Sequence, residues 1–249
     1  GPIQSGLCKM LVIGLGNHKG CSAVHEEAPE VFADAIEETA RLILQKAPVG
    51  FGIAILENAY DKTYAVEAVP AEHLVEREKE LVQIAKGNMP YIMLDEADVI
   101  VCGAIGKDIS GAGFDPNILG RSSVLKQFVL HIPRYQRLVL CDVTPASHGN
   151  GIGVGLFDVI TKKVAEQLDL ESMYANAIAC NCLGDASVPC TVDDEETAIR
   201  VALKCCRNID RDHPRIIRIQ NTLHLGEIEV SEALLDAVRA DSRMSLIEN

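Results

Sequence analysis

Tryptophan is absent from the 249 residues, and phenylalanine and tyrosine number only five each. A stacking surface for single-stranded nucleic acid is therefore excluded. Basic runs are also missing and the net charge is −13, which argues against nucleic acid or an anionic membrane as the main partner. No apolar run reaches the roughly 20 residues that a bilayer crossing needs. Paired zinc-type cysteine spacing is lacking as well. Cys180, Cys182 and Cys190 form C-x-C-x₇-C, where zinc sites prefer C-x₂₋₄-C pairs with a fourth ligand. The nine cysteines are odd in number and often in apolar company, as at Cys102, Cys141, Cys205 and Cys206. That pattern fits reduced thiols in a cytoplasmic protein.

What is present is core-forming material. Apolar residues make up 48% of the chain, enough to exclude extended disorder. Residues 1–25 are punctuated by Gly6, Gly14, Gly16 and Gly20 around the run Met10–Ile13. Pro29 is read as opening a helix on which Phe32, Ile36, Ala40 and Ile43 recur at helical spacing. Phe51–Leu56 and Thr63–Val69 read as a β-hairpin, and 71–86 as a highly charged helix. After Pro90 the pattern restarts with strands over 98–102, 137–141 and 215–219. A long helical stretch is expected over 156–178 and another helix over 195–207. Ser231 is expected to cap a last helix over 232–240. Strands alternating with helices predict α/β architecture with mostly parallel strands.

Three glycine-rich loops are candidate sites. The first, Val12-Ile-Gly-Leu-Gly-Asn-His-Lys-Gly20, spaces its glycines as GxGxxxG. That is neither the dinucleotide fingerprint nor a P-loop, since Lys19 precedes glycine. By spacing alone it reads as a tight turn between packed elements. Lys9 just before it stands in an apolar run, where an ammonium is costly unless it snorkels, pairs or is modified. His25 is a candidate metal ligand. The second loop, Gly106–Arg121, follows a buried strand, where α/β proteins place ligands. In it Lys107 and Arg121 are candidate carboxylate clamps; solvated cations on an ordered loop are the alternative. The third loop, Asp142–Gly155, carries His148, and His224 in Asn221-Thr-Leu-His-Leu-Gly226 is a further histidine of interest.

Three stretches together carry a resemblance: Gly1-Pro-Ile-Gln-Ser-Gly-Leu-Cys-Lys-Met10, Gly106-Lys-Asp-Ile-Ser-Gly-Ala-Gly-Phe-Asp-Pro-Asn117 and Asn221-Thr-Leu-His-Leu-Gly-Glu227. In this order they resemble the nickel-pincer lactate racemase family, and more closely its branch of mostly uncharacterised homologues. The resemblance runs through essentially the whole chain. It implies that Lys9 is linked covalently to a nickel-pincer nucleotide, pyridinium-3,5-bisthiocarboxylic acid mononucleotide nickel. His25, 16 residues on, would complete the nickel coordination, and Gly14 and Gly16 would give the backbone access to the cofactor phosphate. The implied reaction is racemisation or epimerisation of a 2-hydroxy acid by reversible hydride transfer to the cofactor. Lys107, Asp115, Asn117 and Arg121 would bind substrate. The implied fold is two α/β domains with an interdomain cleft: residues 1–94 as the remainder of the cofactor-binding domain, 95–220 as the second domain, and 221–249 as a C-terminal helix packing back on the first.

The sequence departs from the family in two ways. The acid–base histidines and a substrate-binding arginine belong before the cofactor lysine, so they are expected upstream of residue 1. His18 lies too close behind Lys9 to replace them, and this chain alone is expected to be inactive. Its expected partners are the missing N-terminal segment, cofactor-maturation enzymes and a small 2-hydroxy acid. The family's substrate-contacting glutamine and lysine are replaced, with Gly120 and Ser123 near those places. A different 2-hydroxy acid from lactate is therefore expected, with Arg121 holding its carboxylate. The alternative is a non-catalytic protein of the same fold that binds a nucleotide or hydroxy acid in the 103–121 loop. A third reading, an oxidoreductase with an exchangeable nicotinamide nucleotide at Gly14–Gly20, predicts no metal.

Overall fold

Val99-Ile-Val-Cys102 is apolar throughout and buried throughout, as a central strand of a parallel sheet must be. The structure is a computed structural model that describes residues 3, 6–16, 20, 23–24, 26–27, 30–58, 62–125, 128 and 130–247. The chain divides into two compact units, Gly1–Met89 and Pro90–Asn249. Among the described residues no helix is long and apolar enough to cross a membrane.

The first unit holds the expected hairpin, β1 (Phe51–Glu57) antiparallel to β2 (Thr63–Pro70). Helices Phe32–Lys46 and Leu74–Gly87 accompany it. The opening segment is helical: Leu7–Lys9 is α-helical and Met10–Gly14 continues as a π-helix. Ile3, Cys8, Val12, Ile36, Ala40 and Leu81 are among the residues of its core.

The second unit is α/β. Its strands are β3 (Val99–Cys102), β4 (Arg137–Leu140), β5 (Val159–Thr161), β6 (Cys190–Val192), β7 (Ile216–Ile219) and β8 (Glu229–Val230). They form one sheet in the order β6-β5-β4-β3-β7-β8. All neighbours pair in parallel except β8, which runs antiparallel to β7. Side chains alternate across the sheet with period two. Ile100, Cys102, Leu138, Leu140, Ile217 and Ile219 bury on one side with Phe114, Leu119 and Met173. Val99, Val101, Val139 and Val159 bury on the other, against Ala198 and Ala202 of the helix Glu195–Lys204. Each such aliphatic burial contributes about 1.5–3 kcal/mol.

Several expectations need correction here. The stretch 156–178 is not one helix: it contains β5, a helix Lys162–Gln167 and a second helix Leu170–Ala179. Thr161 and Asp169 cap the two helices with their side chains. Ser231 does not cap the last helix. Its hydroxyl donates to the Pro214 carbonyl at 2.7 Å and accepts from the Ile216 N–H at 2.9 Å, tying β8 to β7. Ile92 and Leu94 belong to the second unit's core, which places the break before residue 90 and not at 94. Leu234 and Val238 of the C-terminal helical segment also bury in that core, so this segment belongs to the second unit.

Candidate functional site

Lys9 sits at the junction between α- and π-helical turns, a geometry frequent at functional sites. Cys8 and Val12 turn inward and are buried, anchoring the segment. Lys9 is half-buried and lines a groove of about 520 Å³ in the first unit. Gly6, Gly14, Ile13, Ile55, Glu78 and Val82 are among the other residues lining it. The Lys9 side chain has no hydrogen bond or ion pair to another described residue.

Glu78 is the second polar group of the groove. It is only 2% exposed, although it belongs to a helix with many solvated charges. The Cys8 N–H donates to Glu78 Oε2 at 2.6 Å. This bond satisfies an amide at the start of the Leu7–Lys9 turn, which has no side-chain cap of its own. Glu78 Oε1 is buried with no hydrogen-bond partner among the described residues. A Cβ on Gly6 would come within 2.9 Å of this oxygen, so glycine keeps the approach open. Burial, reinforced by the Glu78 carboxylate, pushes the Cys8 thiol far above its usual range.

The glycines expected to meet a phosphate are placed otherwise. Gly14 ends the π-helix and lines the groove. The Gly16 N–H donates to the Ile13 carbonyl at 3.3 Å, and the Gly20 N–H to the Gly16 carbonyl at 3.2 Å. These amides are spent within the turn. The segment also presents a helix C-terminus, whose dipole disfavours an anion. His25, His18, Lys19 and Pro29 lie outside the described residues. Among the described residues no group of three or more His, Cys, Asp or Glu is arranged to hold a metal ion.

In the second unit the expected substrate residues each have a structural partner. Asp115 caps the short helix Pro116–Leu119, its Oδ1 accepting from the Asn117 N–H at 2.8 Å and from Asn117 Nδ2 at 3.1 Å. Gly120, at φ +65°, closes that helix in the left-handed region. The Asp-Pro-Asn-Ile-Leu-Gly run is thus a complete one-turn helix with both caps. Arg121 donates from Nη1 to the Leu156 carbonyl at 2.8 Å and from Nη2 to Asp158 Oδ2 at 2.6 Å. Its guanidinium also lies over the Tyr135 ring, 5.3 Å from the centroid. Lys107 donates to the Gly111 carbonyl at 2.7 Å and to Asn176 Oδ1 at 2.9 Å. Each cation thus has two internal acceptors, and neither bonds to Asp115 or Asn117.

The histidines of interest are exposed. His148 has φ +48° at the end of a 3₁₀ turn. His224 is held through Nδ1 by Asn221 Oδ1 at 3.0 Å. Cys180 and Cys190 are exposed and Cys182 is buried, all three as free thiols. Comparison with protein-family models, curated proteins and solved structures finds no match to this chain.

Proposed function

We propose that this chain belongs to a nickel-pincer-dependent racemase or epimerase acting on a 2-hydroxy acid, with Lys9 as the attachment point of the cofactor. The observation that carries the reading is Lys9 itself: a lysine without a partner among the described residues, facing a groove within the size range of ligand pockets. Lys9 fits the covalent link of the group, but its phosphate finds no free glycine amide, since those of Gly16 and Gly20 are bonded within the turn. The groove offers one amine for the covalent link. The nickel part rests on His25. When bound, the nucleotide supplies the hydride acceptor.

The chain's own residues then have separable tasks. Lys9 would hold the group through its side-chain nitrogen, and a neutral amide-like link there would remove the cost of a charge beside the groove's apolar walls. Cys8, held protonated by burial, is a poor nucleophile and does not compete with Lys9 for attachment. Glu78 fixes the turn that presents Lys9.

A second reading has an observation in its favour. Lys107 and Arg121 both donate to internal acceptors, which leaves each with fewer donors for a substrate carboxylate. A non-catalytic protein that keeps only the nucleotide in the first unit would need no such donors. Intact-mass analysis with nickel quantification, on protein from cells that contain the maturation enzymes, tests the main reading. A nucleotide-sized adduct mapped to Lys9 with stoichiometric nickel is expected. Lys9→Ala should abolish the adduct, and His25→Ala should keep it while loosening the nickel. Unmodified Lys9 without nickel overturns the cofactor assignment.

A further inference from the structure

Cys180-Asn181-Cys182 ends the helix Leu170–Ala179, and the function proposed above makes no use of it. The ending is a complete Schellman turn. The Cys182 N–H donates to the Ala177 carbonyl at 2.9 Å and the Asn181 N–H to the Ile178 carbonyl at 3.3 Å. Asn181 takes the left-handed place between the two cysteines, at φ +53°. A helical turn of either hand sets residues two apart about 5.5 Å apart at Cα, within the roughly 4.4–6.8 Å that a disulfide spans. The two thiols differ in setting. Cys180 is exposed, and Asn176 Nδ2 donates to its Sγ at 3.6 Å. Cys182 is buried in the core of the second unit. Beside it stands Asp185, only 6% exposed, whose Oδ1 has no hydrogen-bond partner among the described residues.

Packing alone does not explain a buried carboxylate oxygen left without a partner. Here its effect falls on a thiol. Burial, reinforced by the Asp185 carboxylate, pushes the Cys182 pKa up to about 11. That sulfur rests protonated and is slow to meet an oxidant. Cys180 has the solvent access that Cys182 lacks. We propose that Cys180 and Cys182 form a reversible disulfide, with Cys180 as the sulfur that meets a hydroperoxide and Cys182 as the sulfur that resolves the product. The peroxide O–O bond breaks as one oxygen passes to the Cys180 sulfur, giving a sulfenic acid and, from hydrogen peroxide, one water. The Cys182 sulfur then displaces that oxygen. The S–S bond forms, the S–O bond breaks, and the hydroxyl leaves with the Cys182 proton as a second water. Two thiols are oxidised by two electrons and one peroxide is reduced. Exposure of Cys180 leaves the bond open to reducing thiols, so the mark is reversible.

The test uses the full chain, reduced and then exposed to hydrogen peroxide. Remaining thiols are alkylated in denaturant, and cleavage before aspartates releases residues 169–184, which contain Cys180 and Cys182 and no other cysteine. In wild type this peptide should lose both alkylation sites together and weigh two hydrogens less than its unalkylated dithiol form. Treatment with a reducing thiol before alkylation should restore both sites. In Cys182→Ala the sulfenic acid on Cys180 should persist and be captured by a dimedone-type probe. In Cys180→Ser, Cys182 should stay alkylatable after the same exposure. If Cys182→Ala fails to fold, the wild-type mapping decides alone. Cys190 and Cys205, both exposed, serve as internal references. The assignment is overturned if Cys180 oxidises no faster than these two. It is equally overturned if Cys180 proceeds to sulfinic acid with Cys182 still alkylatable, or joins a cysteine other than Cys182.

Discussion

Tyr135 is the residue where burial has the clearest measurable consequence. Its hydroxyl donates to the Leu119 carbonyl, and its ring supports the Arg121 guanidinium. Burial pushes its pKa up to about 12, with Arg121 opposing the shift. The usual tyrosine value is about 10. A folded-state pKa above the unfolded one means stability that is fully present below about pH 10 and lost as pH rises through about 12. The chain has no tryptophan, so tyrosinate absorbance reads this directly. A step near pH 12, coincident with unfolding, is expected in wild type and should be missing in Tyr135→Phe; an unchanged titration would refute it. At this same scale the sequence is partly legible. Lys9 stands out because a lysine among Cys8, Met10 and Leu11 breaks an apolar run. Glu78 does not, because it sits among Glu76, Arg77, Lys79 and Glu80. The usable signal is its register with Leu74 and Leu81 on one helical stripe. Arg121 misleads for the opposite reason: its acceptors, Leu156 and Asp158, are distant in sequence and no local pattern announces them.

Among the elements, the glycine-rich loops invite a ligand, yet parts of them are spent on each other. Gly113 has φ +87°, and a Cβ there would overlap the Ile152 carbonyl oxygen. The Gly106 N–H donates to the Gly113 carbonyl at 2.7 Å. The Lys107 N–H donates to Ser147 Oγ at 2.8 Å, which ties the loop after β3 to the loop after β4. Gly111 stands in the same loop, but a Cβ there would meet nothing within 4 Å. Gly113→Ala should therefore cost about 1–3 kcal/mol from backbone strain alone, and Gly111→Ala should stay within about 0.5 kcal/mol. Urea denaturation of both variants checks the pair, and equal midpoints would contradict the interlock. Element types are readable where patterns are long: the hairpin of β1 and β2, the helix Phe32–Lys46 and the strand β3. They fail at β5 and β6, each three residues long, too short for period-two alternation to register. Thr161 and Asp169 do carry the boundary information as helix caps, but the helical spacing of the surrounding apolar residues outweighs them.

At the scale of the whole molecule the two units differ in how completely they cover their own apolar surface. The sheet of residues 90–249 is buried on both faces by side chains of that same unit. Of its two buried acids among the described residues, Asp98 accepts from Arg215 Nη2 at 2.9 Å, while Asp185 Oδ1 has no hydrogen-bond partner among the described residues. Such a unit meets the conditions for folding alone. The first unit does not cover its hairpin: Phe51, Ile53 and Ile55 on β1 and Tyr64 and Val66 on β2 are each more than half exposed. The pairing of Ile55 with Val66 puts apolar groups of both strands on one face. A two-stranded sheet with such a face is marginal in water and prone to association. Residues 90–249 expressed alone should give a cooperative urea transition with the circular dichroism of an α/β protein. Residues 1–89 expressed alone should bind a hydrophobic dye and sediment as aggregates at micromolar concentration. A monomeric 1–89 with a cooperative transition of its own would show that the exposed hairpin face needs no cover. A non-cooperative 90–249 would show that closure of its two cores does not suffice for independent folding.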